Sequence, residues 1–397
     1  MMFIPWHRGA LYQMFSCLSM LLEEGHDFCF FFSALNLEIS GGLCKMQFMT
    51  TSFLCSMMAA ALALTTGARV TNAAEVPTVQ TVATDEVVDA SLQQKLAAMA
   101  ANHKGHVALY ARQLNTGKVV SLDANVPIQT ASVIKLAILF EAMEEVREGK
   151  AHWDEKLTLK KGDGVNGSGV LTFFDTPLTL TLKDVLTMMV IVSDNTATNL
   201  AIDRFGVRTV NDRIASMGVK NTHLYKKIGK PATEPMPADQ PKFGLGKTTA
   251  HEMETIMERI GRCELGQPGE PMQPGDKEIC QTALTMLRNQ FYRNTIPRYL
   301  EKLDSTEEGS GIASKTGSLN AVRNDVAIVA GKSGPIVISI FTDRNEDQSW
   351  TADNEAEIII AKLAREIVNA WSPDGINGRM LVPGLGLGVG SASGSSK

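Results

Sequence analysis

Long apolar runs are scarce in this 397-residue chain, aromatics make up only 6% of it, and its charges nearly cancel, 38 Lys and Arg against 43 Asp and Glu. Each shortage excludes something. A permanent membrane helix needs about 20 consecutive apolar residues, and no apolar stretch reaches that length. The net charge of −5 leaves no excess of Lys and Arg for a phosphate backbone, so a nucleic-acid partner is not expected. Also missing are the Cys-x-x-Cys pairs and His/Asp clusters that hold metals, His103 and His106 being the nearest approach. No Gly-x-Ser-x-Gly elbow is present. Gly244-Leu245-Gly246-Lys247-Thr248 misses the phosphate-loop pattern because Pro241 stands where its first glycine belongs. Neither a metal nor another cofactor is expected. What remains is an ordinary soluble composition, 44% hydrophobic, with ample material for a core and no surface bias beyond a small or neutral ligand.

The ends separate from the middle. Phe53 to Leu64 is apolar, follows Lys45 and runs into small residues ending at Asn72-Ala73-Ala74, the layout of a secretory signal peptide cut near Ala73 or Ala74. Residues 46–74 are read as that signal, with 1–45 a doubtful leader ahead of a start at Met46 or Met49. The expected destination is the periplasm or the exterior. Cys55 follows Leu54 rather than a small residue, which argues against a lipid anchor. Without the leader two cysteines remain, Cys263 and Cys280, flanking a Gly/Pro-rich segment. In an oxidising compartment they are expected to bridge, although two free thiols fit the spacing equally well. From Pro373 to Lys397 Gly and Ser dominate without periodicity, and this stretch reads as a disordered tail.

Residues 75–372 read as one α/β (α+β) unit, an antiparallel sheet flanked by helices with an inserted all-helical part. His106 to Leu114 and Lys118 to Leu122 flank the turn residues Asn115-Thr116-Gly117 as a hairpin. Asp325 to Ala330 and Pro335 to Phe341 form a second, so continuously apolar that both of its faces should be covered. Neither hairpin is stable alone, which predicts that early and late strands share one sheet, drawn from about 89–131 and 311–372. Helices fill 132–310. The first is predicted from Ser132 to Glu148; another follows Thr181, with Asp184 three residues on as a capping pair. A last helix follows Asp353, with Ile360, Leu363, Ile367 and Trp371 on one face.

Three short motifs carry the chemistry: Ser132-Val133-Ile134-Lys135, Ser193-Asp194-Asn195 and Lys315-Thr316-Gly317. Ser-x-x-Lys alone arises by chance about once in a chain this long, but the other two each arise less than about once in ten such chains. Found together and in order, they are a strong signal. Ser132 opening a buried helix puts Lys135 one turn on along the same face. An amine in apolar surroundings near another cation, Lys315, loses part of its preference for charge and can activate a serine without histidine. Backbone N–H groups at the helix start favour the charge that develops on an attacked carbonyl. Gly317 lets a substrate approach a strand edge closely, where backbone groups can hold an amide.

With these motifs the chain resembles the penicillin-recognising serine hydrolases, and among them the class A β-lactamases, over about Ser91 to Trp371. Further echoes are Gly167-Ser168-Gly169-Val170-Leu171, Thr196-Ala197-Thr198-Asn199 and Arg323-Asn324-Asp325. The resemblance implies a β-lactamase/transpeptidase-like fold and an acyl-enzyme on Ser132, with Lys135 and Ser193 moving protons. It further implies that Asn195 binds the substrate amide, that Lys315, Thr316 and Arg323 hold its carboxylate, and that the N–H groups of Ser132 and Ser318 form an oxyanion hole. One element departs. The family carries a Glu-Pro-x-Leu-Asn loop that holds the deacylating water, whereas here Glu234-Pro235 is followed by Met236, Pro237 and Ala238. Glu234 is either the deacylation base or a solvated loop carboxylate. The expected activity is a monomeric, exported β-lactamase acting on a small β-lactam or D-Ala-D-Ala-like substrate. The competing readings are a D-Ala-D-Ala carboxypeptidase or other serine acyl hydrolase, and a penicillin-binding sensor acylated without turnover.

Overall fold

The two hairpins meet in one sheet in the computed structural model, which describes residues 86–233, 235–300 and 310–377. The early strands are β1 (Val87–Val88), β2 (His106–Gln113), β3 (Lys118–Leu122) and β4 (Ile128–Gln129). Short strands β5 (Lys156–Leu159), β6 (Leu178–Thr181), β7 (His223–Leu224) and β8 (Gly246–Thr248) lie in the middle of the chain. The late ones are β9 (Ile312–Leu319), β10 (Val322–Val329) and β11 (Ile336–Asp343). The main sheet runs β1-β3-β2-β11-β10-β9, antiparallel except for β1 on β3. Its centre is the long-range pairing of β2 with β11, which sets Ala108 opposite Phe341. β9 is an edge strand.

The longer helices are α1 (Ala90–Ala100), α2 (Lys135–Arg147), α3 (Leu182–Ile191), α4 (Asn195–Phe205), α5 (Val207–Ser216), α6 (Ala250–Arg262), α7 (Asp276–Arg288) and α8 (Glu355–Trp371). Every residue of β10 is buried, so both faces of the sheet are covered. The pair α1 and α8 supplies one cover; α6 packs on β2, β10 and β11 as the other. Capping follows the sequence. Thr181 and Asp184 bond reciprocally at the start of α3, and Asn354 accepts from Ala356 and Glu357 at the start of α8. α2 touches α4, α5, α6 and α7 and is the axis of the helical part. Burial along it extends past Phe140 to Glu141, Glu144 and Glu145. Arg213 on α5 meets Glu141 at 2.8 Å, and Arg204 on α4 meets Glu145 at 3.0 Å. Burial outweighs Arg213 at Glu141 and lifts its carboxyl to about 7.

Two details bear on the ends of elements. Cys263, in the left-handed conformation that closes α6 (φ 58°), is bonded to Cys280 on α7, with Cα atoms 5.6 Å apart. The chain does not leave the domain at Pro373. Ile376 is buried and bridges to Gly331, and Asn377 N donates to Ala330 O at 2.8 Å, because a hydrophobic side chain there still finds the sheet. The rest of the expected tail, like the leader and signal, lies outside the described residues.

Candidate active site

Ser132 does not open an α-helix. It sits in a 3-10 turn, Ala131–Ile134, that precedes α2. Ala131 enters the turn with φ 45°, a left-handed conformation that costs a non-glycine residue about 1–3 kcal/mol and persists only where its surroundings impose it. The surroundings are visible. Asn324 on β10 donates its side-chain N–H groups to Gln129 O (2.9 Å) and Thr130 O (3.1 Å). From β8, Gly246 O accepts Thr130 N at 3.0 Å. Gly317 on β9 lies so close that an added Cβ would stand 2.8 Å from Ser132 N, Thr130 O and Val133 N. Only a residue without a side chain lets the edge strand press on this turn.

Lys135, one turn on, is fully buried. Its Nζ donates to Ser193 O (2.7 Å), Ser193 Oγ (3.1 Å) and Asn195 Oδ1 (3.3 Å). Lys315 reaches the same hydroxyl from β9, Nζ to Ser193 Oγ 3.1 Å, and donates to Thr316 O at 2.8 Å. Two buried amines thus share one hydroxyl. Burial first, and the charge of Lys315 second, push Lys135 well below the ordinary lysine range, with Asp194 opposing. Burial brings Lys315 down to about 7 against the opposing carboxyl of Asp325. Ser193 itself is held at φ 53°, a second left-handed non-glycine residue in the site.

The middle residue of Ser193-Asp194-Asn195 fastens the loop ahead of it, a role missed from the sequence. Asp194 Oδ2 accepts Val170 N (2.6 Å) and Leu171 N (2.8 Å), while Oδ1 caps α4 by accepting Ala197 N (2.8 Å). A Cβ on Gly169 would run into this carboxylate, which is why the echo Gly167-Ser168-Gly169 precedes it. An Asp standing just before a helical run was the signal available. Asn195 begins α4 with its backbone N–H on Ser168 O (3.0 Å) and its side-chain N–H on Asn166 O (3.1 Å).

On β9 the residues alternate. The tight turn at Asn320-Ala321 makes Leu319 and Val322 a hydrogen-bonded pair, so Ser318 and Thr316 turn their backbone N–H and C=O toward the free edge. Thr316 O meeting the Lys315 amine there agrees with this. Ser132, Lys135, Ser193, Asn195, Lys315, Thr316, Gly317 and Ser318 therefore gather around one turn and one strand edge. Arg323 does not join them. It is fully buried, donates to the carbonyls of Leu319, Val322 (2.9 Å) and Ser349 (2.5 Å), lies 3.3 Å from Glu357 and stacks 4.6 Å over Trp350. Its donors are committed to the scaffold at the end of the β9–β10 hairpin, which corrects its expected place on the substrate carboxylate. Glu234 lies outside the described residues.

Solved structures share the fold. The solved β-lactamase of Sphaerobacter thermophilus is similar at 28% identity, covering 70% of this chain and 96% of its own, with a TM-score of 0.58. A solved mutant of PBP-A, captured as an acyl-enzyme with penicillin G, is 23% identical over 73% of this chain and 99% of its own, with a TM-score of 0.59. The fold is accordingly β-lactamase/transpeptidase-like. Among curated proteins, the β-lactamase regulatory protein BlaB of Streptomyces cacaoi is 22% identical over 64% of this chain and 89% of its own length. The model of the β-lactamase enzyme family matches residues 91–371. That span contains all three motifs and every element that brings them together, so the chain belongs to the β-lactamase enzyme family.

Proposed function

We propose that the chain is a serine hydrolase that opens the β-lactam ring through an acyl-enzyme on Ser132. The observation that carries this reading is the Ser193 hydroxyl, 3.1 Å from each of two buried amines, beside the turn that bears Ser132. An amine whose charge is penalised by burial, Lys135, takes the proton of Ser132. Ser132 Oγ then bonds to the lactam carbonyl carbon, and the N–H groups of Ser132 and Ser318 meet the charge on its oxygen. As the C–N bond breaks, Ser193 passes its proton to the ring nitrogen and is resupplied by Lys135 with the proton taken from Ser132. Asn195 holds the substrate amide; Lys315 and Thr316 hold its carboxylate. Neither half of the cycle calls for a metal.

Release of the acyl group falls to Glu234, taking a proton from water, a general-base role that typically contributes 10²–10⁴-fold. With Pro237 and Ala238 in place of the family's Leu and Asn, that water has one holder fewer. Deacylation is then the slow step. With a chromogenic cephalosporin, pre-steady-state traces should show a burst near one equivalent followed by slow accumulation. Glu234→Ala should cut the slow phase by about 10²-fold or more and spare the burst; an unchanged slow phase would make Glu234 a loop carboxylate. The name of the Streptomyces cacaoi relative favours a second reading, a regulator acylated once. It requires product to stop at one equivalent. In either case the protein acts after export, with residues 46–74 as the signal.

A further inference from the structure

We propose that Phe291 and Tyr292 form an aromatic wall that selects β-lactams by the substituent on their fused ring, a proposal that rests on the serine-hydrolase reading. The segment bearing them is fastened on both sides by buried groups. Gln290 donates to Val190 O (3.0 Å) and accepts Tyr292 N (3.1 Å), and Phe291 N donates to Ile191 O (3.0 Å). On the other side Asp325 Oδ2, from the neighbour of β9, accepts Thr295 Oγ1 (2.6 Å) and Ile296 N (3.1 Å). Between these anchors the two rings are held out to solvent, Phe291 at 72% and Tyr292 at 38% exposure, edge to face with centroids 5.7 Å apart. A backbone this firmly tied could have carried polar residues. Two adjacent aromatic faces left open to solvent on a fixed segment mark a contact surface.

Their place identifies the contact. Tyr292 OH lies 3.5 Å from Val192 O, the carbonyl just before Ser193, and 3.4 Å from Ser168 Oγ. Ser168 O in turn holds the N–H of Asn195. The wall therefore stands at the Ser193 side of the pocket. In the proposed cycle Ser193 serves the lactam nitrogen, and that atom belongs to the fused ring, so a group on that ring passes Ser193 on its way out and meets Tyr292. A planar conjugated group can stack on the rings; a methyl group offers almost nothing to them.

The test uses the exported protein and two cephalosporins with one acyl side chain, one carrying a dinitrostyryl group on the fused ring and the other a methyl group. Second-order acylation rates are read by intact mass for the parent, Tyr292→Ala and Tyr292→Phe. The styryl-to-methyl ratio should fall about tenfold in Tyr292→Ala and stay within about twofold of the parent in Tyr292→Phe, since the ring does the stacking. An unchanged ratio in Tyr292→Ala, or an equal fall in both variants, would overturn the wall. A parent that forms no adduct with either compound would overturn the serine-hydrolase reading itself, and the parent sample shows this before any variant is compared.

Discussion

Replacing Lys135 with alanine should slow acylation of Ser132 by roughly 10²–10⁴-fold, the loss expected when a positioned general base is removed. The residue is buried without a carboxylate within hydrogen-bonding reach among the described residues, its amine resting on Ser193 and Asn195 oxygens. That placement favours its neutral form. Because its proton affinity is depressed, the base form accumulates as pH rises, so acylation should climb along an acid limb. Lys315, near 7, must keep its proton to hold a carboxylate, so the rate should fall again on the alkaline side. Lys135→Ala should flatten the acid limb and leave the alkaline one. Rates of adduct formation across pH, by intact mass, check both limbs; a parent acid limb that survives in Lys135→Ala would assign it to another group. Linkage has a definite sign here. Between the depressed value and the 10.5 of an exposed lysine the unfolded chain binds the extra proton, so the contribution of Lys135 to stability improves as pH rises through that window.

Gly317→Ala should lower acylation by about 10²-fold, since a misplacement near 1 Å at a reacting group costs about that much. The added Cβ would meet Ser132 N, Thr130 O and Val133 N at 2.8 Å each. All three are backbone atoms, and no rotamer change relieves them. Either β9 retreats from the turn or the turn moves, and in both cases Ser132 and Ser318 lose their mutual placement. Rapid-mixing kinetics, with a melting curve to establish that the variant is folded, read the effect. Acylation at the parental rate would mean that β9 does not press on the nucleophile's turn as described.

Local features were legible in the sequence because local rules decide them. The two hairpins, the Thr181–Asp184 cap and the terminal helix are set by turn residues, alternation and periodicity within a few positions of each other. Features decided by distant partners were not. The spacing of Ser132 and Lys135 placed them together, but nothing in Ala131 to Lys135 announces a left-handed entry; Asn324 and Gly317, far along the chain, impose it. The family resemblance implied that Arg323 holds the substrate carboxylate, yet Arg323 is claimed by Glu357 and Trp350 from beyond β11. Burial of the α2 acids Glu141 and Glu145 likewise depends on distant partners, Arg213 and Arg204 from other helices. In the same way Ile376 reads as part of a Gly-rich tail and is buried by a hairpin more than forty positions earlier at its start, Val329–Ile336 included in the same sheet.

The most direct measurement is the intact mass of the protein after brief exposure to a penicillin, for the parent and for Ser132→Ala. The parent should gain one penicillin mass and the variant none, because among the described residues only Ser132 combines the tight turn, the buried amines of Lys135 and Lys315 nearby and the free edge of β9. An adduct that survives in Ser132→Ala, or a parent that gains no mass at all, would contradict acylation at Ser132.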